Sequence, residues 1–355
     1  GAMSALDWRR SCPDAVEVRA CEGPDAGKGN GLFATRALEE DEVLFEEDPV
    51  SGMAMLMFDE ASASHCQHCL VNLEEAAAGG ASPLFCSHGC GALFCSPVCQ
   101  EAASRAYHDV LCSAANPGWH TFEERARECG NEYYVLAARA LAGLRHGRLA
   151  SEVGADLWGE TPWVGYAAPP WWQTMRRPRY EDSEASSAAS EAEEESAQSP
   201  TFDSEDEASL DRFFQTQVRT QTSEMAEELQ AVLGPGAASD LLKQPEPLGR
   251  LMGLVRVNSM AVQTQASQES PGSPERDEGD GLAKGMALYA VTSAMNHDPN
   301  ANCYVASDPS VPQRCIVRTK RAVAADEELC IDYLSGAPYD QEQRREILLH
   351  QYAIH

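Results

Sequence analysis

The spacing of apolar residues changes period along the chain, and each change marks a different kind of element. Over residues 16–49 the pattern is strand, glycine turn, strand. The turn reads Ala26-Gly27-Lys28-Gly29-Asn30-Gly31-Leu32-Phe33-Ala34, and the second strand is Glu42-Val43-Leu44-Phe45-Glu46, so a small sheet is predicted. Tyr134, Ala138, Leu141 and Leu144 then recur at helical spacing, with Gly147 as a C-terminal stop. Trp158, Trp163, Trp171 and Trp172 lie in a Gly/Pro-broken connection with no assignable period. Residues 181–207 carry eleven acidic residues and no Lys or Arg, interleaved with Ser and Ala. Such a stretch lacks the apolar area to offset its ordering entropy, so a disordered acidic insert is predicted. Helix is predicted near Ser209 and again over 222–233, before Gly234-Pro235-Gly236. Strand character returns at 251–257 and, after a second polar insert over 263–280, at 286–291, 314–320 and 327–333. Residues 340–352 read as a closing helix. Strand-rich ends thus enclose a helical middle, which predicts an α+β fold whose core sheet draws on both ends of the chain.

Charge narrows the function classes. The 355 residues hold 27 Lys plus Arg against 56 Asp plus Glu, a net charge of −29. A broad phosphate-clamping surface needs clustered cations, so no direct nucleic-acid binding is expected and a basic protein partner fits better. With 43% apolar residues the chain can bury a sizeable core. Its apolar runs fall far short of the roughly 20 residues a membrane span requires, and no membrane association is expected. Gly1-Ala2-Met3 reads as a cloning remnant or the start of a fragment, which leaves the true N-terminus open.

Seven of the thirteen cysteines fall between Cys66 and Cys112 at short, paired spacings, and the other six are scattered. Cys66-x2-Cys69, Cys86-x3-Cys90, Cys95-x3-Cys99 and His108-x3-Cys112 supply eight soft ligands, enough for two closed tetrahedral zinc sites. If the pairs alternate, Cys66, Cys69, Cys95 and Cys99 hold one ion, and Cys86, Cys90, His108 and Cys112 the other. His65, His68 and His88 compete for ligand roles, but each reads more simply as a solvated loop histidine. Cys303, Cys315 and Cys330 read as buried strand residues without chemistry.

The run Leu93-Phe94-Cys95-Ser96-Pro97-Val98-Cys99-Gln100, with Tyr107-His108 and Cys112, resembles the MYND zinc finger, a protein-interaction module. Its flanks resemble SET domains. Lys28-Gly29-Asn30-Gly31-Leu32-Phe33-Ala34 is similar to their opening glycine turn, Ser293-Ala294-Met295-Asn296-His297 to their Asn-His signature, and Glu327-Glu328-Leu329-Cys330-Ile331-Asp332-Tyr333 to their closing strand. Together these resemble the SET/MYND protein-lysine methyltransferases. The resemblance implies small SET-type sheets with a pseudoknot, interrupted by the finger and a helical insert. The implied segments are an N-terminal tail over 1–15, a first SET part over 16–60, the finger over 64–113, a helical region over 114–250 with disorder over 181–208, a second SET part over 251–337 with a polar insert over 263–283, and a C-terminal helix over 338–355.

The resemblance also implies a site. S-adenosyl-L-methionine is the expected methyl donor, two structural Zn2+ the expected metals, and a lysine-bearing, basic protein the expected substrate, histone or non-histone, in the nucleus or the cytoplasm. Tyr333 is the expected catalytic residue, its hydroxyl aimed at the reacting centre. Lys28, Gly29, Asn30 and Gly31 are expected at the donor, with close backbone approach at the glycines and Lys28 on the donor carboxylate. Asn296 and His297 are expected at its amino-acid and adenine ends, with Asn258 and Ser293 lining the pocket and Ile354 standing where the family often has an aromatic residue. Two departures agree with each other. Pro299 occupies a position where the family commonly has a zinc-ligating cysteine, and no cysteine follows Cys330, so a third, post-SET zinc site is not expected. A catalytically weak or inactive SET domain serving a MYND-centred adaptor is the alternative.

Overall fold

The computed structural model describes residues 12–22, 28–50, 52–58, 64–80, 82–145, 166–175, 204–265, 282–335 and 339–352. Trp158, Trp163, Ile354 and most of both predicted inserts lie outside the described residues. In chain order the strands are β1 (Val16–Ala20), β2 (Asn30–Ala34), β3 (Val43–Glu47), β4 (Ala54–Leu56), β5 (Leu84–Phe85), β6 (Leu93–Phe94), β7 (Met260–Gln265), β8 (Leu282–Ala287), β9 (Asn296–His297), β10 (Cys303–Asp308), β11 (Val311–Thr319) and β12 (Glu328–Ile331). The helices are α1 (Leu73–Ala78), α2 (Pro97–Ala103), α3 (Pro117–Glu128), α4 (Tyr133–Arg145), α5 (Trp171–Thr174), α6 (Ser204–Leu233), α7 (Ala237–Leu241), α8 (Pro245–Asn258) and α9 (Gln341–Tyr352). None of these helices is long and apolar enough to cross a membrane.

Small sheets draw on both ends of the chain. One runs β1-β2-β12-β9, a second β10-β11-β3, a third β4-β8-β7, and β5-β6 form a hairpin within the cysteine cluster. In the first sheet β12 pairs antiparallel with β2 and parallel with β9, so the Asn296-His297 segment lies directly beside the closing strand. Leu32, Ala34, Cys303, Val317 and Leu329 are fully buried in the core these sheets share.

A second and larger core belongs to the helices, and the cysteine cluster is part of it. Cys66, Phe94 and Tyr107 pack into the same buried cluster as Trp119, Phe122, Tyr134, Leu229 and Leu248. Helix α4 is buried on all sides, not along the single stripe its spacing predicts, because the finger and helices α6, α7 and α8 surround it. Arg139, also buried, donates from Nη1 to the Ala54 carbonyl at 2.6 Å and lies 4.3 Å over the Tyr107 ring. Tyr107 in turn donates to the Gln67 carbonyl at 2.5 Å, so one arginine ties the helical core, a sheet edge and the finger together.

The structure corrects several sequence expectations. Residues 251–257 are helix, not strand: α8 begins at Pro245 and buries Leu248, Leu251, Met252, Leu254 and Val255, a spacing of three and four that outweighs the β-branched content. Gly253 lets this helix approach the tryptophan segment, since a Cβ there would collide with the Pro169 carbonyl oxygen. Trp171 and Trp172 form α5 and are buried, and the Trp171 indole donates to Thr222 Oγ1 at 2.8 Å. Helix α6 is continuous from Ser204, so the acidic segment predicted as disordered to 208 already contains its first turn. Its inward positions Val218, Thr222, Met225, Ala226, Leu229 and Val232 supply the apolar stripe that sustains it. The second polar insert is also narrower than predicted, because Gln263–Gln265 complete β7 and Leu282 opens β8. The strand predicted over 286–291 ends at Ala287, and the closing strand ends at Ile331.

Candidate active site and metal centres

The eight predicted metal ligands gather as two groups of four. Cys66, Cys69, Cys95 and Cys99 form one and Cys86, Cys90, His108 and Cys112 the other, with ligand atoms within 4.8 Å of one another in each group. The Cys95 sulfur lies 3.6 Å from that of Cys69 and 3.5 Å from that of Cys99. In the second group Cys86 Sγ lies 3.7 Å from Cys112 Sγ and 3.3 Å from His108 Nε2. A tetrahedral zinc with bonds of about 2.3 Å to sulfur needs sulfur–sulfur edges of roughly 3.8 Å, so both groups fit the ion. Local structure sets the ligands. Ser96 caps α2 by accepting from Cys99 N at 3.2 Å, and a π-helical turn over Ser104–His108 swings His108 inward. The competing histidines stay outside these groups. His88 is exposed, with Nδ1 4.0 Å from Cys86 Sγ. His65 is buried, which corrects the solvated reading: it contacts Ser64 Oγ at 3.1 Å and its backbone bridges to Asn72.

The donor-site candidates fall into two adjoining groups around β12 and β9. The first is a polar knot. Asn296 Nδ2 donates to Glu328 Oε1 at 2.7 Å and to the Asn30 carbonyl at 3.1 Å, and Lys28 Nζ reaches Glu328 Oε2 at 3.4 Å. Gly31 sits against this knot so closely that a Cβ would lie 2.8 Å from Glu328 Oε1. Gly29, at φ +82°, faces open space: a Cβ there would meet nothing within 4 Å. A cradle with an open glycine corner beside a cation and an amide suits the polar end of an amino-acid-bearing ligand.

The second group lines a cavity of about 830 Å³ that includes Asn258, Ser293, Met295, Tyr333 and Tyr352. Tyr333 is half-buried, not an exposed edge residue, and its hydroxyl donates to the Met295 carbonyl at 2.8 Å. Burial, reinforced by Tyr352, pushes its phenol well above the usual range, so it remains a hydroxyl at neutral pH. Its ring lies 5.3 Å from that of His297 and 4.8 Å from that of Tyr352. His297 Nδ1 accepts from the Tyr333 backbone N–H at 3.2 Å, while burial holds the imidazole below its usual pKa. The neutral ring therefore carries its proton on Nε2 and orients the catalytic candidate. Ser293 Oγ donates to the Asn258 carbonyl at 3.0 Å. The Asn258 side chain turns back to the Ala167 and Leu254 carbonyls, at 2.8 and 2.7 Å, and so presents backbone to the cavity.

Five contributors carried no assigned role in the sequence. Glu47, at the end of β3, accepts from the backbone of Ala290, Val291 and Thr292 and from the Thr292 hydroxyl, all within 2.7 to 2.9 Å. That carboxylate fixes the short turn leading to Ser293 and Asn296. Asp332 and Arg344 form another support: Arg344 Nη2 donates to Asp332 Oδ1 at 2.6 Å and Nη1 to the Leu334 carbonyl at 3.0 Å. This tethers α9 and lays Tyr352 on Tyr333, so the C-terminal helix supplies one wall of the cavity. Glu328 and Asp332 lie within the closing motif and so carried a signal in sequence; Glu47, Arg344 and Tyr352 look like ordinary strand and helix residues.

A profile of the SET domain family matches residues 29–334. Protein-lysine N-trimethyltransferase SMYD5 of Gallus gallus is 34% identical over 107 residues, 24% of this chain and 26% of that protein. SMYD5 of Mus musculus is 32% identical over 119 residues, 28% of each. The chain thus spans little more than a quarter of the length of these curated relatives in the matched region. Among solved structures, the SET domain of LSMT bound to lysine and AdoHcy is similar over 94% of this chain and 53% of that one, at 10% identity and a TM-score of 0.37. That likeness is too distant to bear on the site.

Proposed function

Because the chain belongs to the SET-domain family, we propose that it transfers a methyl group from S-adenosyl-L-methionine to a lysine side chain of a basic protein, histone or non-histone. The observation that carries this reading is the Tyr333 hydroxyl, held on the Met295 carbonyl inside the cavity, with Met295 preceding Asn296 of the Lys28, Gly29, Asn296 cradle in the chain. Bound in that cradle, the donor would supply an electrophilic methyl on a sulfonium sulfur. Lys28 would hold its carboxylate, Gly29 would admit it closely while Gly31 makes room for Glu328, and Ser293 and the Asn258 backbone would line the cavity. Tyr333 positions the incoming amine and offers its oxygen to the polarised methyl, while Tyr289 and Tyr352 exclude water from the lysine path. In that setting desolvation favours the neutral amine, which forms its new N–C bond as the S–C bond breaks, and the departing proton leaves along the cavity to solvent.

The SMYD5 relatives are named as protein-lysine trimethyltransferases, which supports the same chemistry here. The two cysteine groups support a MYND-type double-zinc finger. Phe85 and Val98, 71% and 75% exposed on that finger, support a further role in peptide docking, and the net charge supports basic partners. The adaptor alternative is disfavoured by the anchored tyrosine, which a peptide-docking module does not require. Isotopic methyl transfer from the donor to a panel of histones and other basic proteins tests the proposal. Tyr333→Phe is expected to lose most turnover while retaining S-adenosylhomocysteine binding. A native, zinc-loaded protein that transfers nothing to any panel member, or a phenylalanine variant of full activity, would overturn it.

A further inference from the structure

The acidic pair at the start of the closing strand divides its labour. Glu327 is absorbed by local structure: it accepts from Asn302 Nδ2 at 3.1 Å, from Ala324 N at 2.9 Å and from Arg321 Nη2 at 2.7 Å. Glu328 has a different set of neighbours. Its carboxylate takes Asn296 Nδ2 at 2.7 Å and Lys28 Nζ at 3.4 Å, with Cys21 Sγ at 3.7 Å. Two of those partners are the residues expected at the polar end of the donor. The Glu328 side chain is 17% exposed and that of Lys28 38%, so the ion pair is within reach of solvent. Gly31 gives it the room, since any side chain there would strike Glu328 Oε1.

A methionine-derived donor ends in a zwitterion, with an ammonium and a carboxylate on one carbon. A cradle that reads both ends must present a carboxylate and a cation side by side. Lys28 and Glu328 are such a pair, and Asn296 aligns the acid through one N–H while its other bond goes to the Asn30 carbonyl. We propose that Glu328 is a binding residue for the α-ammonium group of the donor, while Lys28 takes the α-carboxylate. On binding, the ion pair opens and each partner exchanges the other for the matching end of the ligand. Charge stays balanced throughout, so the exchange costs little while it selects against ligands that lack either end. This inference rests on the donor-site reading given above.

Calorimetry on the zinc-loaded full chain tests it with four ligands: S-adenosylhomocysteine, its analogue without the α-amino group, its analogue without the carboxylate, and 5′-methylthioadenosine, which lacks both. Native protein is expected to bind the deamino analogue about 10- to 100-fold more weakly than S-adenosylhomocysteine, the range for one charge-assisted hydrogen bond. Glu328→Gln is expected to remove that preference, weakening S-adenosylhomocysteine by the same factor and leaving methylthioadenosine within about twofold. Lys28→Gln is expected to remove the preference for the carboxylate instead. The proposal fails if native protein binds the deamino analogue as well as the parent, a result that needs no variant to fold. It also fails if Glu328→Gln weakens all four ligands equally. A native protein that binds none of the four ends the donor-site reading itself, a distinguishable result.

Discussion

Glu47 makes the support of the site measurable. Its Oε1 accepts from Ala290 N and Val291 N, both at 2.8 Å, and its Oε2 from Thr292 N at 2.9 Å and Thr292 Oγ1 at 2.7 Å. Glutamine keeps the shape but replaces one acceptor oxygen with an amide nitrogen, so two of the four donors lose their acceptor whichever way the amide lies. At about 1 to 1.5 kcal/mol for each donor left unsatisfied, the sum is about 2 to 3 kcal/mol. If the pair lost is the one on Thr292, its hydroxyl can turn to Cys315 Sγ at 3.4 Å, which places the outcome toward the lower end. Urea denaturation of native and Glu47→Gln protein at equal m-value reads this directly. The same turn delivers Ser293 and Asn296, so affinity for S-adenosylhomocysteine is expected to fall by about tenfold, as small misplacements at binding sites do. A variant within about 0.5 kcal/mol of native stability, the scatter of ordinary surface changes, would refute the reasoning.

Three further outcomes follow from the same geometry. Metal analysis is expected to give two zinc ions per chain, and chelation is expected to loosen α3, α4 and α6 along with the finger because they share one core; helical circular dichroism unchanged by chelation would contradict this. Burial, against the opposing pull of Asp332, holds His297 below its usual pKa of 6.5. The unfolded chain therefore binds that proton more readily, so the stabilisation is complete above pH 6.5 and declines as the pH falls below it, with loss of the Nδ1 acceptor for Tyr333; an NMR titration placing His297 at or above 6.5 would sink this assignment. Arg139→Leu strands the Ala54 carbonyl and removes the cation from Tyr107, an expected loss of about 2 to 4 kcal/mol in a denaturation midpoint, and a change below about 0.5 kcal/mol would show that Arg139 is no staple.

The parts of this molecule written locally were readable from the residue order. Paired cysteine spacing foretold both ligand groups, and Lys28, Asn296 and Tyr333 stood out because each lies in a short motif. What escaped were features created by distant packing. Residues 251–257 carry β-branched side chains that suggest strand, but Pro245 and the buried faces of α4 and α6 make them helix. Glu47 and Thr292 are 245 positions apart, so nothing local announces their bond. Tyr352 gains its place only because Arg344 tethers α9 to Asp332. His65 read as a loop residue because its cover comes from structure that folds over it, not from its neighbours in sequence.

The first sheet joins β2 to β12 through Phe33 and Glu328, residues 295 positions apart. At a synthesis rate of about 5–20 residues per second, the first strand pair waits roughly 15–60 s for its third member to leave the ribosome. During that interval β2 offers a bare edge carrying Leu32 and Phe33, and such edges recruit strands from neighbouring chains. The cysteine module and early helices emerge within the same interval. The nascent polypeptide therefore needs shielding at its beginning long after that beginning has been made, and its yield in a cell-free translation should rise when a holding chaperone is present from the start.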